Sequence, residues 1–439
     1  MMDPSTEDYL NFLSKAAHFP EQPSRVKIIQ THASIVALTD AFAYKLKKPV
    51  DFGFLDFSTL DNRHFYCQEE LRLNRRLSQD IYLDIVPLYF DETKLSFENK
   101  PGRIVNYAVK MRRLREAGFL VNLIQDPQFP PHRLDTLILL LQKFYAAQSP
   151  RADKQHYGGQ KNLKEMVEGN LSPLPDWEGF SIDSRTRKLI SQEQRKFIQD
   201  QASLLDERVR RQKILEGHGD LRAEHIYYEG AQVQLFDCIE FSEALRYLDP
   251  LNELAFLYMD FCYRQRADLG DYLFQEMIPQ LEAPTDQVKD LFKFYLVYRA
   301  CVRGKVNSLK AQENEVDAET REISRKKAQG YFRLALRFSI LGSEPHLILV
   351  LGGVASGKST LARRISEMLG LHHLNSDVLR KDLAGQAQNK PTPSEKIAQV
   401  YSEEMTQKTY KLLQENGQNL LHREGAVVLD ATYRNPELL

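Results

Sequence analysis

The chain has 439 residues, 59 Lys plus Arg against 60 Asp plus Glu, 42% hydrophobic and 27% charged residues, which fits a globular protein of two or three domains. The formal net charge of -1 excludes a global field that would recruit nucleic acid or an anionic membrane. The acidic start, from Asp3 to Asp8, does not read as a signal peptide, no apolar run approaches a membrane span, and Cys67, Cys238, Cys262 and Cys301 have no metal-ligand spacing, so the expectation is a cytoplasmic protein with inert thiols.

In chain order, residues 25–29, 35–38 and 41–46 carry the short alternating or β-branched patterns of strands, and 103–111 adds another. Asp51-Phe52-Gly53 reads as a turn that pivots on Gly53. Residues 65–77 read as a helix that buries Leu71, Leu73 and Leu77. From residue 133 to 339 the pattern is mainly helical, over 134–147, 191–215, 251–264, 288–302 and the basic stretch 321–339. Gly342-Ser343-Glu344-Pro345 then breaks the pattern before an apolar run. The predicted organisation is one module over residues 1–341, with a small lobe to about 112 and a helical lobe over 113–341, then a second module over 342–439. A small strand-rich lobe followed by a larger helical one is the outline of a two-lobed, α+β, protein-kinase-like fold.

His218-Gly219-Asp220-Leu221-Arg222-Ala223-Glu224-His225 precedes an apolar strand, a Glu229-Gly230 turn and a second strand that ends on Asp237. Phosphoryl transfer needs one carboxylate aimed at the nucleophile and another ligand that holds a metal where charge develops. A hairpin at Glu229-Gly230 would bring Asp220 and Asp237 to one cleft. A kinase-like small lobe must also supply a lysine for the phosphates and a helix-borne glutamate to orient it. Phe42-Ala43-Tyr44-Lys45 matches the Val-Ala-Ile-Lys pattern position by position and points to Lys45, with Lys47 on the same strand face as the alternative. On the helix, Glu70 is the expected partner and Glu69 the alternative.

The segment from His218 to Asp237 resembles the catalytic loop of the aminoglycoside phosphotransferase and choline kinase group, a branch of the protein-kinase-like fold. The resemblance implies that Asp220 accepts the proton of the acceptor hydroxyl, that His225 and Asp237 stand where the Mg²⁺ ligands stand, and that Asp249 braces the site. Two positions depart from that pattern. His225 replaces the usual Asn, and a neutral imidazole is a poorer Mg²⁺ ligand than an amide oxygen; Arg222 replaces a His. The segments 43–58 and 70–75 extend the resemblance to bacterial fusions of such a domain with a P-loop kinase-like domain, which implies ATP binding at two sites.

The second site begins where the apolar run 347–351 enters Gly352-Gly353-Val354-Ala355-Ser356-Gly357-Lys358-Ser359-Thr360, a complete phosphate-binding loop. Its glycines let backbone N–H groups converge on phosphates, Lys358 reaches the outer phosphates, and the Ser359 hydroxyl ligates Mg²⁺. Leu361, Ile365, Met368 and Leu369 follow a helical period that stops at Gly370. His372 and His373 are adjacent on a strand and face opposite ways, so they form no joint metal site. Ser376-Asp377-Val378-Leu379-Arg380 resembles the Ser-Asp-x-x-Arg element of P-loop kinases, which implies Asp377 as base and Arg380 as the acceptor's anion contact. The alternative is a helix cap made by Ser376 or Asp377. Asp430 ends an apolar strand in the form expected of a carboxylate that holds Mg²⁺ through water, or of one that caps a turn.

A P-loop kinase normally continues with two more parallel strands and an arginine-bearing lid. None precedes residue 439, so this α/β P-loop NTPase domain reads as truncated at its C-terminus, able to bind a nucleotide but dependent on another subunit for a lid. The expected activity is transfer of a phosphoryl group from ATP, with Mg²⁺, to a hydroxyl of a small molecule. The rivals are a polynucleotide 5′-hydroxyl kinase using Asp377 and Arg380, with nucleic acid as a less favoured partner, and a non-catalytic nucleotide sensor.

Overall fold

The computed structural model describes residues 3–53, 55–98, 102–171, 180–313, 316–353, 355–388 and 392–433. By compactness the chain forms two units, Met1–Gly159 with Glu207–Glu253, and Gln160–Asp206 with Leu254–Leu439.

The first unit contains a six-stranded antiparallel sheet of β1 (Lys27–Gln30), β2 (Ser34–Leu38), β3 (Phe42–Lys47), β4 (Tyr82–Phe90), β5 (Leu95–Ser96) and β6 (Arg103–Arg112), in the order β1-β2-β3-β6-β4-β5. Side chains alternate across a strand, and on β3 this sorting positions the site. Tyr44 and Leu46 join a core with Phe12, Phe19, Ile35, Leu88 and Ala108, so Lys45 and Lys47 point to the opposite face. Against that face lies the helix Leu60–Asn74, packed through Cys67 and Leu71 onto Ile81, Tyr82 and Val109. The Thr59 hydroxyl caps this helix by accepting from the Asn62 N–H at 3.1 Å. The helix therefore starts five residues before the expected segment and ends at Asn74, with Leu77 buried beyond it.

The sequence patterns did not announce β4 or the helix Thr6–Leu13. The β4 segment is a largely apolar run interrupted by Asp84 and Pro87, with a bulge between Tyr82 and Asp84, so it lacks period-two alternation. The short helix is fixed by a reciprocal capping box between Ser5 and Asp8.

Beyond the sheet, β7 (Leu215–Glu216) forms part of the first unit, and β8 (Ile226–Glu229) and β9 (Gln232–Leu235) form the expected hairpin, with Gly230 at φ +62°. Then β10 (Tyr247–Leu248) pairs with β7. The helix expected over 191–215 is two helices, Ser184–Asp200 and Ala202–Arg210, and the chain leaves the second at Gln212, which adopts φ +53°, to enter β7.

In the second unit, β11 (His346–Leu351), β12 (His372–Asn375) and β13 (Ala426–Ala431) form a parallel sheet with β13 in the centre. The helices Lys358–Leu369 and Glu403–Glu424 pack on β13, which is buried throughout. The sequence break at residue 342 does not divide the compact units. The helix Ala318–Leu341 packs against both the helix Asp286–Lys310 and the helix Lys358–Leu369, so packing runs unbroken across Gly342. Among the described residues no helix is long and apolar enough to cross a membrane.

Candidate functional site

In the first unit, the Lys45 ammonium lies 2.8 Å from Glu70 Oε1 and 2.8 Å from Asp237 Oδ1. Lys47 Nζ lies 2.7 Å from the other oxygen of Glu70 and also pairs with Glu240. Each oxygen of the fully buried Glu70 thus holds a different lysine. Glu69 instead pairs with Arg72 at 2.8 Å on the outer side of the helix. Asp237 is half-exposed at the mouth of this chain of charges, whereas Lys47 is sealed behind it.

The end of β9 sets Asp237 by several ties to the sheet and the helix. Its N–H donates to Tyr82 Oη at 3.0 Å, and its φ of +64° lies in the left-handed region. For a non-glycine residue that conformation costs on the order of 1 kcal/mol and persists only where neighbours enforce it. The next N–H, of Cys238, donates to Asn74 Oδ1 at 2.9 Å, while Asn74 Nδ2 donates to the Glu70 carbonyl at 2.8 Å. The end of the helix and the Asp237 turn are therefore fastened together.

The loop that carries Asp220 is held by Glu253. One Glu253 oxygen accepts from the N–H groups of His218 and Gly219, both at 2.6 Å, and the other accepts from the Tyr145 hydroxyl at 2.8 Å. The resemblance gave this brace to Asp249, but Asp249 pairs with the buried Arg208 and accepts the Leu251 N–H at 2.9 Å. Gly219 has φ +88°, and a Cβ there would lie 3.2 Å from Ile239. His218 Nε2 donates to the Phe236 carbonyl at 2.8 Å and its Nδ1 accepts the Asp220 N–H at 3.3 Å, which fixes a neutral tautomer.

Asp220 itself is forked by Arg222, with Nε 2.9 Å from Oδ1 and Nη2 2.7 Å from Oδ2. His225 Nδ1 donates to the Asp220 carbonyl at 2.8 Å. With Nδ1 donating, Nε2 is the acceptor nitrogen of the ring; it lies 3.4 Å from Arg222 Nη2, which donates to it, and 3.7 Å from Asp237 Oδ2. A single imidazole thus lies within 3.7 Å of both carboxylates, since Nδ1 is 3.5 Å from Asp220 Oδ2.

Electrostatics follow from this arrangement. Desolvation pushes the Asp237 carboxyl up, but Lys45 and then His225 outweigh it and hold the group well below its ordinary range. Burial likewise opposes the charge on Glu70, and Lys45 and Lys47 overcome it. Burial also works against the Lys45 ammonium, yet Asp237, Glu70 and Glu240 together raise it well above its ordinary value. For His218, burial, reinforced by His225, lowers the imidazole to about 4. Burial raises the Cys67 thiol to about 12 and also raises Cys238, which leaves both as inert thiols.

Among the described residues no group of three or more His, Cys, Asp or Glu side chains converges as a metal site. The donors present are two, the Asp237 carboxylate and His225 Nε2. They fit a divalent cation that arrives with a nucleotide and takes its other ligands from phosphate and water, as Mg²⁺ does in such sites. The imidazole nitrogen shifts the preference from Mg²⁺ toward Mn²⁺ or another first-row transition ion.

The second unit holds the phosphate-binding loop between β11 and the helix Lys358–Leu369, with Gly357 at φ +85° immediately before the helix. A Cβ on Gly352 would lie 2.8 Å from Ser356 Oγ. Lys358 Nζ lies 3.2 Å from the Gly353 carbonyl, and the Thr360 N–H donates to the Gly357 carbonyl at 3.1 Å. Val354 is outside the described residues. Asp430 is fully buried, and its Oδ1 has no hydrogen-bond partner among the described residues. Its Oδ2 accepts from Asn375 Nδ2 at 2.5 Å and lies 3.3 Å from His373 Nε2. Asn375 Nδ2 also lies 3.2 Å from Ser359 Oγ. Ser359 and Asp430 thus meet through Asn375, and the orphaned oxygen fits a hydrated divalent cation.

Asn375 is also the cap of the helix Ser376–Leu383. Its Oδ1 accepts the N–H groups of Asp377 at 2.9 Å and Val378 at 3.0 Å. Neither Ser376 nor Asp377 is the cap. The Asp377 carboxylate instead accepts from the Tyr401 hydroxyl at 2.9 Å and pairs with Lys381 at 3.1 Å, while the Arg380 guanidinium stacks 4.9 Å from the Tyr401 ring. Sequence reasoning missed Asn375 and Tyr401, and in the first unit it missed Glu240, Glu253 and the grip of Arg222 on Asp220. A cap rule that favours Asn could have found Asn375. For Glu253 a single sequence offers no signal.

The sequence matches the AAA domain family over residues 347–439. An uncharacterized protein of Mycobacterium tuberculosis is 26% identical over 415 residues, which is 94% of this chain and 79% of that protein, and one of Mycobacterium bovis matches to the same extent. Among solved structures, an aminoglycoside 2′-phosphotransferase-IIIa in its GDP complex overlaps with a TM-score of 0.42 at 14% identity, covering 74% of this chain and 99% of that one. A choline/ethanolamine kinase family protein from Mesorhizobium loti overlaps with a TM-score of 0.41 at 12% identity, covering 75% of this chain and 99% of that one. The kinase-like layout is visible in the chain's own topology. The third strand of an antiparallel sheet carries a lysine, the helix across it carries the glutamate that the lysine meets, and a hairpin ends on an aspartate in the same ion-pair chain.

Proposed function

We propose that this protein is an ATP-dependent phosphotransferase with a kinase-like module over residues 1–341 and a second nucleotide site over 342–439. The first site moves the γ-phosphoryl group of ATP to a hydroxyl of a small-molecule acceptor. One observation carries the reading: Lys45 bridges Glu70 and Asp237, and His225 joins Asp237 to Asp220.

In the reaction Lys45 exchanges its contact with Asp237 for phosphate oxygens, while Glu70 keeps the ammonium aimed. Asp220 accepts the proton of the attacking hydroxyl, with Arg222 fixing the plane of its carboxylate. Asp237 and His225 Nε2 would be the protein donors to a divalent cation, which would supply charge neutralisation for the transferred group. The acceptor hydroxyl ends as a phosphate ester, ADP leaves, and the Asp220 proton returns to water. A small acceptor accords with the balanced net charge of -1.

The Arg222 fork favours one rival, because a base with both oxygens engaged suits a nucleotide sensor that performs no transfer. The two are separated by incubating the protein with ATP, Mg²⁺ or Mn²⁺, and a panel of hydroxyl compounds. Asp220→Asn is expected to lose transfer by a factor on the order of 10² to 10⁴. Equal and negligible turnover of wild type and variant with every acceptor would leave the sensor.

A further inference from the structure

We propose that Lys47 is a positioning residue of the first site, which keeps Glu70 paired and in place when Lys45 turns from Asp237 to a nucleotide. The inference rests on the reading of this cleft as a nucleotide site.

Five charged groups run in one chain, Asp237, Lys45, Glu70, Lys47 and Glu240. A kinase-like site needs one lysine and one glutamate to orient phosphates, and Lys47 is additional to that pair. It sits two residues beyond Lys45 on β3 and therefore on the same face. Its side chain is wholly buried, as is that of Glu70, and the side chain of Glu240 is 7% exposed. Around Lys47, the ammonium lies 4.7 Å from the centre of the Phe57 ring, and its carbonyl accepts from Asn106 Nδ2 at 3.0 Å. Asn106 Oδ1 in turn accepts from Arg63 Nε at 2.9 Å.

This geometry answers a problem that nucleotide binding creates. When Lys45 divides its charge between Glu70 and phosphate, a buried Glu70 with no second partner would be an uncompensated carboxylate, which is strongly disfavoured. Lys47 holds the other Glu70 oxygen throughout. It also reaches Glu240, three residues beyond Asp237. The helix Leu60–Asn74 and the segment that carries Asp237 are thereby tied through one ammonium, independently of the lysine that moves.

A buried ion pair can also serve stability alone, so the test separates affinity from stability. In a Lys358→Ala background, which silences the second nucleotide site, binding of a fluorescent ATP analogue with Mg²⁺ is titrated and Tm is measured. Lys47→Met with Glu240→Leu removes one opposite-charge pair together and restores apolar packing. The expected result is a Tm within a few degrees of the parent, about 3 °C, with affinity weakened about tenfold or more, and with Lys45→Met abolishing binding at this site. Parental affinity in the double variant, with Lys45→Met still abolishing binding, would overturn the role of Lys47 and leave the nucleotide reading intact. Binding unaffected by Lys45→Met would instead overturn the nucleotide reading itself. If the double variant does not fold, Glu240→Gln decides: affinity weakened about threefold at unchanged Tm supports the role, and unchanged affinity overturns it.

Discussion

In the first unit, the residues proposed to handle a nucleotide come from positions 45, 70, 220, 225 and 237 and meet through ion pairs made by side chains. In the second, the candidate residues lie close together in the sequence between positions 352 and 360, and their phosphate contacts would come mainly from backbone N–H groups at the start of the helix Lys358–Leu369. The contrast has a physical consequence. A site of coupled charges transmits the loss of any one charge to the others, because each neutralises a neighbour in a partly desolvated setting. A backbone cradle depends on a few glycines, one lysine and one hydroxyl, and is largely indifferent to charge elsewhere. The first site should therefore respond to mutation and to pH as a unit, and the second should respond locally.

The largest stability effect is expected from Glu253→Ala. It leaves two buried N–H groups and the Tyr145 hydroxyl without their acceptor. Orphaned groups of this kind cost about 1–3 kcal/mol each, so the unfolding free energy should fall by roughly 4 kcal/mol in calorimetry or urea titration. A loss under about 1 kcal/mol would show that the loop does not depend on this brace.

A pH effect comes next. His218 is lowered to about 4 by burial, from an ordinary value of 6.5. Between those values the unfolded chain binds a proton that the folded chain refuses, so stability falls as pH drops from 6.5 to 4 and is restored as pH rises. The size is about 3 kcal/mol. The depressed Glu70 and Asp237 carboxyls act in the same direction at lower pH, since their contribution is present above their unfolded values and is lost as pH falls through the folded ones. Denaturation curves across this range should flatten in His218→Gln, and an unchanged slope would break the assignment.

A smaller change tests the metal donors. His225→Asn replaces an imidazole nitrogen with an amide oxygen, and should strengthen the Mg²⁺ dependence of nucleotide binding at the first site by about tenfold, or ~1.4 kcal/mol. The preference for Mn²⁺ should narrow at the same time. Isothermal titration with each ion checks this, and an unaltered Mg²⁺-to-Mn²⁺ ratio would remove His225 from the donor set. The smallest stability effect belongs to Lys358→Ala, at the partly exposed first turn of the helix Lys358–Leu369. It should change unfolding by no more than about 0.5 kcal/mol while nucleotide binding at residues 352–360 is lost.

The same contrast explains what a single sequence discloses. The loop from Gly352 to Thr360 is legible because its parts are adjacent in the chain. Asp220 and Asp237 are legible because one hairpin joins them, and Gly230 marks its turn. The lysine and the glutamate could be nominated from a four-residue pattern and a helical period, yet the choice between Glu70 and Glu69 needed the helix placed on its sheet. Pairings such as Lys47 with Glu240, or Glu253 with the N–H groups of His218 and Gly219, join distant positions. Only packing reveals them, because any of the many charged residues could serve. The strand β4 was hidden for another reason: its largely apolar run, broken by Asp84 and Pro87, does not display strand alternation.

The most direct measurement is transfer of radiolabelled γ-phosphate from ATP to an acceptor found in the hydroxyl panel, compared between Asp220→Asn and Lys358→Ala. The account predicts that transfer collapses in Asp220→Asn and persists in Lys358→Ala. Persistence in Asp220→Asn with collapse in Lys358→Ala would place the chemistry at the phosphate-binding loop and contradict the account.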